Sequence, residues 1–118
     1  MSSMKDLIIY QKFYDLILYA FPIINKFPKN QRFVLGQQIQ NCLLDIAKLI
    51  IQANEYGKNQ YRLNTLYQID IELEKLKLFI RLCVDLQFIN FHRYSVFCSK
   101  FSEIGKLLGG WIKVTKGA

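Results

Sequence analysis

His92 is the one histidine among 118 residues, and the three cysteines, Cys42, Cys83 and Cys98, stand far apart along the chain. Nucleophilic catalysis needs a base beside the nucleophile, and a zinc site needs several Cys, His or carboxylate ligands at workable spacings. Neither is written here: the sequence has no Cys-x-x-Cys, no clustered histidines and no glycine-rich phosphate loop. It therefore predicts no catalytic residue, no metal site, no cofactor and a chain that is not an enzyme. An odd number of cysteines at apolar positions reads as reduced core thiols, the usage of a cytoplasmic protein.

The chemistry that remains is charge. Sixteen Lys and Arg against nine Asp and Glu leave a net charge of +7, an excess that favours nucleic acid or an acidic protein surface. Within the chain, the stretch LEKLKLFIRLCVDL, Leu73 to Leu86, sets Lys77 and Arg81 one helical turn apart amid leucine, isoleucine, phenylalanine and valine. Two readings stay open for this pair. Glu74 lies three residues before Lys77 and Asp85 four after Arg81, so with Asp70 they can form a solvated ladder of pairs worth ~0.2–0.5 kcal/mol each. Alternatively the two cations, which repel each other at i,i+4, are held together because they face an anion.

The elements that must position these charges are helical. With 52% hydrophobic and 21% charged residues and no Pro/Gly/Ser-rich linker, the chain 1–118 reads as one globular domain with a core of its own. The long apolar run Leu7 to Phe27 is interrupted by Gln11, Lys12, Asp15 and Pro22, which argues for a core helix over a membrane span. No small-residue cleavage pattern follows it, so it is not read as a signal peptide. Apolar residues recur at alternating steps of three and four: Tyr10, Phe13, Ile17, Ala20, Ile24, Phe27; then Leu35, Ile39, Cys42, Ile46, Leu49, Ala53; then Leu66, Ile69, Leu73, Leu76, Ile80, Cys83; then Tyr94, Phe97, Phe101, Ile104, Leu108, Trp111. Four such stripes predict helices over about 5–27, 31–54, 59–87 and 91–113. The fold class is all-α, an antiparallel up-down-up-down four-helix bundle with short connections.

Punctuation agrees. Pro28 is expected to stop the first helix, Asn30 to cap the second, Asn54 to Asn59 to form a turn around Gly57, and Asn90 to cap the fourth. Pro22 falls inside the first helix and predicts a bend near Leu18 to Pro22.

The third helix is apolar on two sides. Opposite its core stripe runs a second row, Ile71, Leu78, Leu82 and Leu86, which a lone bundle would leave in water. This predicts an oligomer in which that row meets another subunit. Gly105 and Gly109, four apart on the fourth helix, admit two readings: close approach of a neighbouring helix, or a C-terminal stop at Gly109 and Gly110. Trp111 keeps the spacing beyond them and favours a helix that continues. With helices alternating in direction, Lys26, Lys29, Arg32, His92 and Arg93 gather at one end of the bundle, and Lys5, Lys58, Arg62, Lys113 and Lys116 at the other. Two basic ends suit phosphate contacts, which position a nucleic acid without reading its sequence.

Three stretches taken together, YAFPIINKFPKNQRFVLGQQI, ELEKLKLFIRLCVDL and SEIGKLLGGWIK, resemble the accessory variability determinant (Avd) of diversity-generating retroelements. That family is a branch of the four-helix bundles that include proteins encoded in intervening sequences of 23S rRNA genes. The resemblance runs from about Tyr14 to Lys113. It implies a basic homopentameric barrel without catalytic activity that binds the element's reverse transcriptase together with RNA and DNA, with no strong sequence specificity, and supports mutagenic retrohoming. It implies no membrane partner. Matching the LKLFIRL pattern places Lys77 and Arg81 toward a central channel; from the pooling of charge at the bundle ends, Lys26, Lys29, Arg32, Arg93 and Arg62 are expected as further contacts for nucleic acid or polymerase. The first member of the pair is lysine where relatives often carry arginine, which favours a point contact over a bidentate one. The alternative is a structural or interaction protein of the ribosomal intervening-sequence kind that does not bind nucleic acid directly.

Overall fold

A computed structural model describes residues 7–117. Four helices carry the fold: α1 (Ile8–Ile24), α2 (Gln37–Glu55), α3 (Gln60–Asp85) and α4 (Phe91–Lys116). There is no strand among the described residues. Each helix packs on its neighbours in chain order, and α4 returns to α1, which closes a four-membered ring. Helices of 26 residues run ~39 Å at 1.5 Å per residue, so α3 and α4 span most of a molecule 46 Å long and 23 Å across. The short connections leave consecutive helices only the antiparallel choice, as expected. No helix is long and apolar enough to cross a membrane among the described residues.

The α3 stripe is buried as the spacing predicts, all six positions from Leu66 to Cys83 being at most 1% exposed. On α1 the buried line is rotated. Ile9, Phe13, Leu16, Ala20, Ile23 and Ile24 face the core, whereas Tyr10 and Ile17 are only partly covered. Leu35, Leu49, Tyr94 and Trp111 likewise sit at the margin, and Leu43 and Ile50 go inside. Where apolar residues are dense, the local pattern marks a broad arc and the neighbouring helices choose its centre.

Helix ends show which punctuation was read correctly. Asn90 caps α4 by accepting a hydrogen bond from the Arg93 amide at 2.8 Å. Asn59 does the same for α3 through the Arg62 amide at 3.1 Å. Asn30 is not a cap. Pro28, with extended ψ, takes that place, and its carbonyl receives the amides of Gln31 and Arg32. A proline fixed at φ near −65° can start the turn itself, which leaves Asn30 inside the short helix Lys29–Gln31.

α1 runs through Pro22 and ends at Ile24, four residues before Pro28. α3 ends at Asp85 instead of 87 because Gln87 adopts φ 66°. The Phe88 amide then bonds the Cys83 carbonyl and the Gln87 amide the Val84 carbonyl, the pattern of a Schellman stop in which glycine usually fills the left-handed position. α4 passes through Gly109 and Gly110 to Lys116, so no stop occurs there.

Between Pro28 and α2 the backbone widens into a π-helical turn, Arg32–Gly36. Such turns often mark functional positions. Gly36 packs tightly in it: a Cβ there would meet Ile24 Cγ2 at 3.0 Å, so that side chain would have to shift to admit one. The turn leaves Phe33 and Val34 exposed.

Two of the three thiols lie in the core. Burial pushes Cys83 up to about 12; burial, with the Glu72 carboxylate beside it, pushes Cys42 up to about 11. Both exceed the ordinary thiol value of 9.0, so the folded state holds these protons more tightly than the unfolded chain. Their contribution to stability is full below about pH 9 and is lost as pH rises toward 11 to 12. Urea unfolding across this window should show the parent losing more stability with rising pH than a Cys42→Ala, Cys83→Ala variant. Parallel pH curves for the two would contradict it.

Candidate nucleic-acid and assembly surface

At ~100° per residue the α3 core stripe and the row Ile71, Leu78, Leu82, Leu86 point nearly opposite ways. In the folded chain that row lies bare: Ile71 is 70% exposed, Leu78 57%, Leu82 39% and Leu86 54%. Lys77 and Arg81 occupy the wedge between the row and α4, and Lys77 lines a shallow groove with Tyr94, Cys98, Phe101 and Ser102.

Both cations have carboxylate partners on their own helix. Lys77 Nζ is 2.9 Å from Glu74 Oε1, and Arg81 Nε is 3.1 Å from Asp85 Oδ2. The hydrogen bond to Asp85 raises the Arg81 pKa, with Tyr94 contributing. The ladder reading of these charges is therefore realised in the single chain, and pairs so exposed are screened by solvent and contribute little. Pairs this weak can be exchanged for a phosphate at little cost. On the α2 side Lys75 meets Glu72 at 2.6 Å.

One end of the bundle brings Lys26, His92 and Arg93 into a single groove between α1 and α4, together with Leu18, Tyr19, Pro22 and Ile23. No carboxylate is among these lining residues, and neither Lys26, Lys29 nor Arg93 has an ion-pair partner among the described residues. Arg32 reaches the same end and donates to the Asn25 carbonyl at 3.3 Å. Farther along this face Lys100 lies over the Tyr19 ring at 5.3 Å, and Lys12 pairs with Glu103 at 3.1 Å.

The other end is different in kind. Arg62 Nε donates to the Ala53 carbonyl at 2.8 Å, while its Nη2 donates to the carbonyls of Asn54, at 3.4 Å, and Tyr56. The guanidinium also stacks 5.6 Å from the centre of the Trp111 ring. It thus satisfies the last carbonyls of α2 and ties the α2–α3 turn to the end of α4, and desolvation lowers its pKa. With its donors spent on the backbone, Arg62 is a clamp. Arg62→Ala should cost about 1–2 kcal/mol, read as a lower urea midpoint, because the part-buried carbonyls of Ala53 and Asn54 lose their partner. Arg62→Lys should recover only part of this, since an ammonium cannot reproduce the planar fork. An unchanged midpoint in both variants would refute the clamp. Lys58, Lys113 and Lys116 remain exposed at this end; Lys5 lies outside the described residues.

Gly105 and Gly109 face open space, with nothing within 4 Å of a Cβ built at either. No helix of the same chain approaches them, so a close contact there requires another molecule. The sequence reading overlooked Phe91, directly after the Asn90 cap and 74% exposed. Its signal was legible in the run Asn90-Phe-His-Arg, an aromatic three residues before Tyr94 that extends the α4 stripe to the helix start and is followed by a basic pair.

The bAvd-like family matches residues 7–115. The chain belongs to the bAvd-like family. The motif resemblance is thereby borne out, and the four-helix ring is its expected fold. Among solved structures, this bAvd-like chain is similar to a protein of unknown function from the S23 ribosomal protein family of Bacteroides thetaiotaomicron. The two share 22% identity and a TM-score of 0.75, over 91% of this chain and all of that one. That likeness shows the fold. No curated protein matches the bAvd-like chain.

Proposed function

We propose that this bAvd-like chain is a non-enzymatic accessory protein of a diversity-generating retroelement: a cytoplasmic homo-oligomer, pentameric as the family resemblance implies, that binds the reverse transcriptase and template RNA or cDNA in support of mutagenic retrohoming. The observation that carries the reading is α3, buried along one side and apolar but bare along the other. Covering that row with another copy sets Lys77 and Arg81 beside the contact, where several subunits pool their charge. Family membership and the carboxylate-free groove of Lys26, His92 and Arg93 support the anionic partner.

Binding of RNA or DNA is expected to weaken steeply with salt, since each phosphate contact contributes about −0.7 to −0.9 to the slope of log affinity against log salt. Changing Lys77 and Arg81 together to alanine should flatten that slope by about 1.4 to 1.8 per subunit engaged while leaving the subunit number intact. Affinity independent of salt would sink the electrostatic account.

A second reading is a structural or interaction protein that leaves nucleic acid alone. It is favoured by the ion pairs that Lys77 and Arg81 make on their own helix. A reverse transcriptase gene and a variable repeat pair beside this gene support the first reading, and a position inside a ribosomal RNA gene supports the second.

A further inference from the structure

The first turn of α4 is a ridge between two cationic grooves. On the α3 side lie Lys77, Tyr94 and Cys98, with Arg81 one helical turn along α3 from Lys77. On the α1 side lie Lys26, His92 and Arg93. Phe91 stands on the ridge itself, its ring 6.3 Å from that of Tyr94 and tilted 48° to it, so the two rings do not cover each other's faces. An apolar ring that contributes nothing to the core, set between Lys26 and Arg93, which lack acidic partners among the described residues, and Lys77 and Arg81, whose pairs are exposed and weak, has the composition of a surface on which bases stack while the backbone is held by charge.

We propose that this ridge binds single-stranded nucleic acid, one base stacking on Phe91 and the flanking phosphates lying toward Arg93 and Lys26 on one side and Arg81 on the other. The proposal rests on the nucleic-acid reading above and narrows it to unpaired strands. A duplex hides its base faces within its own stack and meets only the cations. Single strands therefore gain a contact that duplexes do not.

The test compares binding of a 20-nucleotide oligo-uridine and an RNA duplex of equal length to the intact oligomer at moderate salt, with light scattering on every variant. Phe91→Ala should weaken the single strand roughly 5- to 100-fold and leave the duplex and the salt slope unchanged. Phe91→Tyr should restore most of the loss, because tyrosine keeps the π-face. Changing Lys26 and Arg93 to alanine should weaken both ligands. Cys98, the exposed thiol beside Tyr94, supplies a second readout, as bound oligo-uridine should slow its alkylation in the parent protein. If Phe91→Ala leaves single-strand binding unchanged, weakens both ligands equally or changes the subunit number, the ridge assignment is overturned while the broader function stands. If the parent binds neither ligand even at low salt, the nucleic-acid reading falls with it.

Discussion

A chain carrying Leu78→Glu and Leu82→Glu should fold as the parent does yet sediment as a single subunit. Both side chains are exposed in the folded chain, and glutamate is nearly as good a helix former as leucine, so the fold itself should change by less than about 1 kcal/mol. The assembled state is a different matter. A carboxylate forced into an apolar contact loses its hydration and costs several kcal/mol unless it finds a partner, and each subunit would bring two. The expected result is therefore unchanged helicity and urea midpoint at low concentration, with mass by light scattering falling to that of one chain. Nucleic-acid affinity should fall with it, because the pooled charge of Lys77 and Arg81 disperses. A parent protein that is itself monomeric at working concentrations, or a variant that keeps the parent's mass, would remove the basis for assembly through α3.

The largest effect on the fold itself is expected at Phe97. Its ring is 1% exposed, meets Tyr19 of α1 edge-on at 5.1 Å and lies against Phe101 at 5.9 Å. It is the aromatic joint by which α4 closes the ring onto α1. Truncation of a buried phenylalanine removes both the transfer energy and the contacts lining the void, about 3–5 kcal/mol. Against a total of about 5–15 kcal/mol for a domain, this leaves a marginal protein. Phe97→Leu should cost markedly less, since it refills most of the volume. Denaturant unfolding of the two variants checks both numbers, and equal midpoints would show that the aromatic joint is not where α1 and α4 are held.

The α3 stripe and the four-helix class were plain in the sequence because the pattern there is strict, with acidic and basic residues closing off the sides of a narrow core face. The exposed row followed from the same geometry, since positions 180° from a buried stripe must face away from it. The α1 register was not plain. Ile8, Ile9, Tyr10, Leu16, Ile17 and Leu18 offer apolar side chains over too wide an arc for periodicity to choose among them, and packing against α2 and α4 selected Ile9 and Leu16. Asn90 was identified as a cap because it directly precedes its helix, whereas Pro28, two residues before Asn30, was the stronger start signal. The roles of Arg62 and the other basic residues divided in the same way. Their pooling at two ends followed from helix direction, but only the folded contacts separate a guanidinium spent on backbone carbonyls from cations left unpaired.

By itself the sequence determined the four helices, their antiparallel order and the net positive charge, since these depend on local spacing, connection length and composition. Tertiary structure alone decided the centre of the α1 face, the clamp at Arg62, the π-helical turn over Gly36 and which cations find carboxylate partners on another helix. Each of these is settled by distances between side chains remote in sequence, where shape and unpaired hydrogen-bonding groups choose among arrangements that local periodicity leaves equal.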